Sequence, residues 1–114
     1  MSKTKQKALS EDQLAGVARL FAVLAEPSRL SLLQALHNGP LTVNELVQAT
    51  AMKQANVSRH LGVLHDHHLV IRERHGISIH YEIADPMIFT LCNLVCGKMQ
   101  RDARRAAALL RPNP

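Results

Sequence analysis

The chain has 114 residues, a formal charge of +5 and a pI of about 9.8, enough for one domain or one protomer of a dimer but not for a second core. The positive balance favours an anionic partner such as nucleic acid, while aromatics at 3% are too few for the stacking platform that single-stranded binding needs. No run of roughly 18 apolar residues occurs, so no membrane span is expected.

Residues 1–8 read as a flexible basic arm. The opening MSKTKQKALSEDQ has no apolar stretch of the kind a secretory signal carries. A first helix is expected over about 11–25, with Ser10 as N-cap and Glu11 and Asp12 facing the positive end of the dipole. Leu14, Val17, Ala18, Phe21, Leu24 and Ala25 recur at helical spacing and form one apolar face. Pro27 suits the first turn of a second helix, about 27–37, with Leu30, Leu33 and Leu36 among its buried residues. Asn38-Gly39-Pro40 stops it. Thr42 begins a third helix, with Glu45 three residues on in the capping-box pattern. A turn near Thr50-Ala51-Met52 leads into a fourth, about 54–66, whose Val57, Leu61 and Leu64 repeat at i, i+4, i+7 and face the core.

After His68 the period changes to two. Ile77, Ile79, Tyr81 and Ile83 alternate with Ser78, His80 and Glu82, as in a half-buried strand; 69–74 is its partner and His75-Gly76 the turn. Asp85 at the N-cap and Pro86 at the first position then start a last helix, running to about 110, with the apolar stripe Ile88, Leu91, Cys92, Val95 and Met99. The RPNP tail should fray. The expected fold class is mainly α with a small β-hairpin: about five helices and a two-stranded wing, with a helix-turn-helix at 42–68 and the wing at 69–83.

In a helix-turn-helix, the N-terminal part of the second helix meets base edges. Gln54 and Asn56 suit adenine, Arg59 suits guanine, and His60 lies beside them. Lys53 at the helix entry and Ser58 suit phosphate oxygens, which set register and not sequence. On the wing, Arg72, Arg74 and His75 lie near the tip, where arginine can reach phosphates or a narrow minor groove. The bland alternatives are a solvated polar helix face and strand charges that discourage edge pairing.

The order of elements resembles the ArsR-type (arsenic-repressor-like) winged-helix regulators. The resemblance is carried by LAEPSRLSLLQAL (Leu24 to Leu36), LTVNEL (Leu41 to Leu46), ANVSRHLGVL (Ala55 to Leu64), Leu69-Val70 and HYEI (His80 to Ile83). It implies a homodimer on a roughly palindromic double-stranded DNA operator, repressing transcription until an inducer releases it. It also implies that the first and last helices, 11–25 and 86–110, form the dimer interface. Three positions depart from the family pattern. Ala51 stands where glycine is frequent, so a wider or differently shaped turn is expected; Lys53 replaces a frequent serine; and His68 replaces a frequent glycine, although histidine tolerates left-handed backbone better than most residues.

The resemblance also implies two kinds of metal site that this chain lacks. The third helix carries no thiol, and no histidine follows His80. Cys92 and Cys96 remain, at i, i+4 on one helical face. With no signal sequence they are expected as free thiols in a reducing cytoplasm. They are either packing residues, or a site for a soft thiophilic ion such as arsenite, or a target of thiol oxidation or sulfuration. An intrahelical disulfide is awkward, because Cβ atoms at that spacing sit roughly 5–6 Å apart. Lys98 and Arg101 nearby favour the thiolate. His65, His67 and His68 cluster near the end of the fourth helix, where protonation is favoured and would strengthen DNA binding as pH falls; a metal shared by His65 and His68 is the alternative.

The function expected is a dimeric, sequence-specific transcriptional regulator, possessing no cofactor beyond an ion or modification at Cys92 and Cys96. Its rivals are a nonspecific architectural DNA binder, a protein-binding winged helix, and an enzyme. The enzyme reading lacks a nucleophile elbow, a Cys-x-x-Cys pair and a phosphate-cradling glycine loop.

Overall fold

Cap chemistry sets where the helices begin. In the computed structural model, which describes residues 7–112, α1 (Glu11–Leu24) starts from a reciprocal capping box. The Gln13 N–H donates to Ser10 Oγ at 3.1 Å, and the Ser10 N–H donates to Gln13 Oε1 at 2.9 Å. Helix α2 (Pro27–Ala35) has Pro27 in its first turn and Glu26 as N-cap, whose carboxylate accepts from the Ser28 N–H. It passes into a 3-10 turn, Leu36–Asn38, so the regular helix ends before the expected 37. Helix α3 (Val43–Thr50) starts from a second capping box between Thr42 and Glu45. The backbone N–H and hydroxyl of Thr42 hold the Glu45 carboxyl below its ordinary pKa. Helix α4 spans Gln54–Asp66 and α5 spans Met87–Leu109.

The turn between α3 and α4 is tight. Ala51 takes the left-handed conformation, φ 59°, and its N–H donates to the Val47 carbonyl at 2.9 Å. The wider turn expected for alanine is therefore not formed; Ala51 bears a cost of about 1–2 kcal/mol instead. Thr50 braces the bend: its hydroxyl donates to the Leu46 carbonyl at 2.6 Å and accepts from the Met52 N–H at 3.4 Å. Among the described residues His68 is the other non-glycine residue with positive φ, 60°, as its place at the helix end suggested.

The sheet has three strands, β1 (Leu41–Thr42), β2 (Val70–His75) and β3 (Ser78–Ile83), all antiparallel, in the order β1-β3-β2. Strand β1 was not expected, since two residues have no period to read. The hairpin register closes at His75↔Ser78. The turn is therefore Gly76-Ile77 and not His75-Gly76, and Ile77 leaves the apolar face assigned to it.

The described residues divide into two compact units, with the boundary between Ala84 and Asp85. In the first, Leu32, Leu33 and Leu36 meet the core together with Leu46, Val57, Leu61, Leu64, Leu69 and Val70. Leu30, expected inside, is 37% exposed. At about 100° per residue it falls off the arc shared by Leu32, Leu33 and Leu36. The α1 stripe is mostly uncovered: Leu14, Val17 and Phe21 are exposed, Phe21 at 51%. In the second unit α5 opens one residue late, so its N-cap is Pro86 and not the expected Asp85; the Asp85 carboxylate, one position before the cap, still accepts from the Met87 N–H at 2.9 Å. Ile88 is its buried residue; Leu94, Val95 and Met99 are exposed. Most of the expected basic arm and the last two residues of the tail lie outside the described residues.

Candidate nucleic-acid interface

Helix α4 is anchored by Val57, Leu61 and Leu64, all fully buried. Helical geometry then leaves the opposite side of its first two turns in solvent. Arg59 lies on that side with Asn56 and Ser58 flanking it, while Lys53 and Gln54 are exposed because they sit at the helix tip, one turn ahead of Val57, the first buried residue of the helix. Lys53 occupies the N-cap and supplies no side-chain acceptor. The leading N–H groups of α4 are left to an outside oxygen, at the positive end of the helix dipole. One short stretch thus combines backbone donors, a lysine, a hydroxyl, two amides and a guanidinium, a set that can hold phosphate and read base edges.

His60 does not belong to that set. It is 4% exposed, so it is withdrawn as a direct contact. Its Nδ1 lies 3.4 Å from Arg29 Nη1, and its Nε2 lies 3.4 Å from Arg59 Nη2. Burial lowers its pKa below the ordinary value, the charges of Arg59 and Arg29 lower it further, and Glu26 opposes them. A neutral imidazole has one acceptor nitrogen, so the ring accepts from one guanidinium at a time. Arg29 is itself tied down, its Nε–H donating to the Val23 carbonyl at 2.6 Å. His60 therefore braces the exposed Arg59 from the core side. Arg29 escaped the sequence reading because a lone arginine in a short helix carries no periodic signal.

Arg72, Arg74 and His75 are exposed on the wing, as expected for residues near a hairpin tip. His75 is not idle: Nε2 pairs with Glu73 Oε2 at 3.4 Å, and its ring meets His80 edge-on, centroids 4.9 Å apart. Beyond α4, a groove is lined by His65, Asp66, His68, Val70, Ile71 and Ala84. Among the described residues no group of three or more His, Cys, Asp or Glu side chains is placed to hold a metal ion. His67 Nδ1 is within 2.9 Å of the Val63 carbonyl at the helix end.

On α5, Cys92 is half-buried and Cys96 exposed, both as free thiols. Lys98 is ion-paired with Asp102, one turn further along α5, at 2.5 Å. Among the described residues no helix is long and apolar enough to cross a membrane.

Residues 26–72, which run from the N-cap of α2 into the wing, match the family described as bacterial regulatory protein, arsR family. Over 83 residues the chain is 42% identical to the HTH-type transcriptional regulator NmtR of Mycobacterium tuberculosis, spanning 73% of this chain and 69% of that protein. Its fold is similar to the homodimeric winged helix-turn-helix DNA-binding domain (fragment 1–100) of Mb0332 from Mycobacterium bovis. The TM-score is 0.70 at 30% identity, over 86% of this chain and 91% of that one. It is also similar to the antimony-specific transcriptional repressor AntR, with a TM-score of 0.74 at 33% identity, over 87% and 90% of the two chains.

Proposed function

Because this chain belongs to the arsR family of bacterial regulatory proteins, we propose that it is a dimeric, sequence-specific repressor of transcription. It is a regulatory protein and not an enzyme. Helix α4 enters the major groove of an operator, and the wing lies beside it on the backbone and minor groove. The observation that carries this reading is the division of α4. Its buried Val57, Leu61 and Leu64 turn Arg59 outward with Asn56 and Ser58 beside it, and Lys53 and Gln54 stand exposed at the helix tip.

Two subunits pair through the apolar residues of α1 and α5 that a single chain leaves exposed, among them Leu14, Phe21, Leu94 and Met99. Exposed apolar residues at this density mark an interaction surface, and the Mb0332 domain is a homodimer. Pairing sets the two α4 tips about one duplex turn apart, which gives a roughly palindromic site. The repressor works in the cytoplasm.

Release from DNA runs through Cys92 and Cys96, which take a soft thiophilic ion or undergo thiol modification. Both are free, and Cys96 is exposed. The structural neighbour AntR is antimony-specific, a soft-ion chemistry that two thiols on one helical face suit.

A gel-shift titration on the gene's own upstream DNA tests the whole reading. It is run with reduced protein, then with arsenite, antimonite, peroxide and polysulfide, and repeated with Cys92→Ser/Cys96→Ser. Specific binding that resists random competitor DNA and falls steeply with salt is expected. Equal competition by random DNA would make the protein an architectural binder, and equal release of parent and double mutant would remove the thiols from the mechanism.

A further inference from the structure

The wing ends in the most exposed large apolar side chain among the described residues. Strands β2 and β3 close on His75↔Ser78, which leaves Gly76 and Ile77 as a two-residue loop. Gly76 has φ 66°, and Ile77 is not among the positive-φ residues, so positive φ falls on the first loop position alone. That is the type II′ pattern, which asks for glycine first and sets no demand for a bulky residue second. Ile77 is nevertheless there, at 101% exposure. Among the described residues nothing covers its apolar surface.

Strand alternation gives the wing two unlike faces. The pairs Arg72↔Tyr81 and Arg74↔Ile79 share one face, and Ile71↔Glu82 and Glu73↔His80 share the other. Both carboxylates of the wing therefore lie on the second face, where Glu73 also pairs with His75. The first face dips into the core at Val70, then stands clear and presents two exposed guanidinium groups without an acid. It finishes in Ile79, 40% exposed, and then Ile77 at the tip. Cations flanking an apolar point suit a groove with anionic walls and a less polar floor. β-Branched isoleucine is already stiff at χ1, so it loses little freedom on insertion. Aliphatic wedges between base steps are an established way of opening a minor groove.

Resting on the DNA-binding reading above, we propose that Ile77 is an apolar wedge for the minor groove, with Arg74 on the groove wall. It reads the DNA flanking the α4 contacts through ease of deformation. It favours steps that unstack readily, such as TA or CA/TG, over stiff ones.

The test uses duplexes selected from a random pool by the parent protein, with affinity measured by fluorescence anisotropy over a range of salt. Ile77→Ser should weaken binding roughly tenfold, the effect of losing most of one buried isoleucine. The dependence on salt should not change, because no phosphate contact is lost. Ile77→Leu should retain the affinity. Arg74→Ala should instead reduce the salt slope by about 1. A 2-aminopurine placed at the flanking step should brighten when the parent binds and stay quenched with Ile77→Ser. The fully exposed side chain makes the substitution harmless to the fold, and Ile77→Leu controls for the turn. The proposal is overturned if Ile77→Ser binds within about twofold of the parent, if its loss comes with an altered salt slope, or if the probe stays quenched with both. If selection yields no preferred duplex, the repressor reading fails and the wedge falls with it; if it yields one and Ile77→Ser matches the parent, the wedge alone fails.

Discussion

Helix α4 and the wing bring positive charge to the same proposed partner, yet they are held in opposite ways. Four of the thirteen residues of α4 are buried, whereas Val70 alone is buried in the two strands of the wing. The core therefore fixes the orientation of α4, and its polar tip inherits that rigidity. The wing is held by cross-strand backbone pairing, and its outer half has little packing to restrain it. Regions with few buried apolar contacts open and bend more readily. A rigid element suits base-edge hydrogen bonds, which tolerate small errors poorly. A compliant one suits phosphates and a groove whose width varies with sequence.

Substitution of one apolar residue in each region sharpens this contrast most. Leu61→Ala removes a fully buried side chain and should cost about 2–5 kcal/mol. Ile71→Ala on the exposed strand should stay within about 0.5 kcal/mol. Urea denaturation compares them, and similar losses would mean that the wing is as firmly packed as α4. The next largest effect concerns reading. Arg59→Ala should cost about 1–3 kcal/mol on the preferred operator and relax preference at one base pair, while Lys53→Ala weakens all sequences alike. A binding titration against single-position operator variants separates them. Third, Ala51→Gly relieves left-handed alanine at the entry to α4 and should raise stability by about 0.5–1 kcal/mol. A lower melting temperature would show that the turn needs its Cβ.

The smallest effect expected is on pH. His60 has its folded pKa lowered, by burial and then by Arg59 and Arg29. The unfolded chain therefore binds the proton more readily than the folded one. The stabilising contribution of neutral His60 is complete above the ordinary histidine pKa of about 6.5. It is lost as pH falls from there through the folded value. The urea midpoint should fall between about pH 7.5 and pH 5.5, and His60→Gln should fall less. Equal slopes would show that the ring charges without cost. Protonation at this site works against the support of Arg59.

Periodicity and cap chemistry were enough for the helices and for most of the proposed interface. The i, i+4, i+7 spacing of Val57, Leu61 and Leu64 specifies which side of α4 is wet, because a helix has only one way to bury them. Ser10, Thr42 and Asp85 mark their helix starts because an unpaired N–H needs a local acceptor whatever the tertiary structure. What depended on three dimensions was everything set by a distant neighbour. His60 is polar by type, but Arg29, thirty-one residues away, meets it at the core boundary. Ile77 follows strand alternation by sequence, but the register at His75↔Ser78 lifts it onto the tip. Leu30 looks like core until Leu32, Leu33 and Leu36 define the buried arc. Short-range chemistry is written in consecutive residues; burial and register depend on which surfaces the folded chain sets against one another.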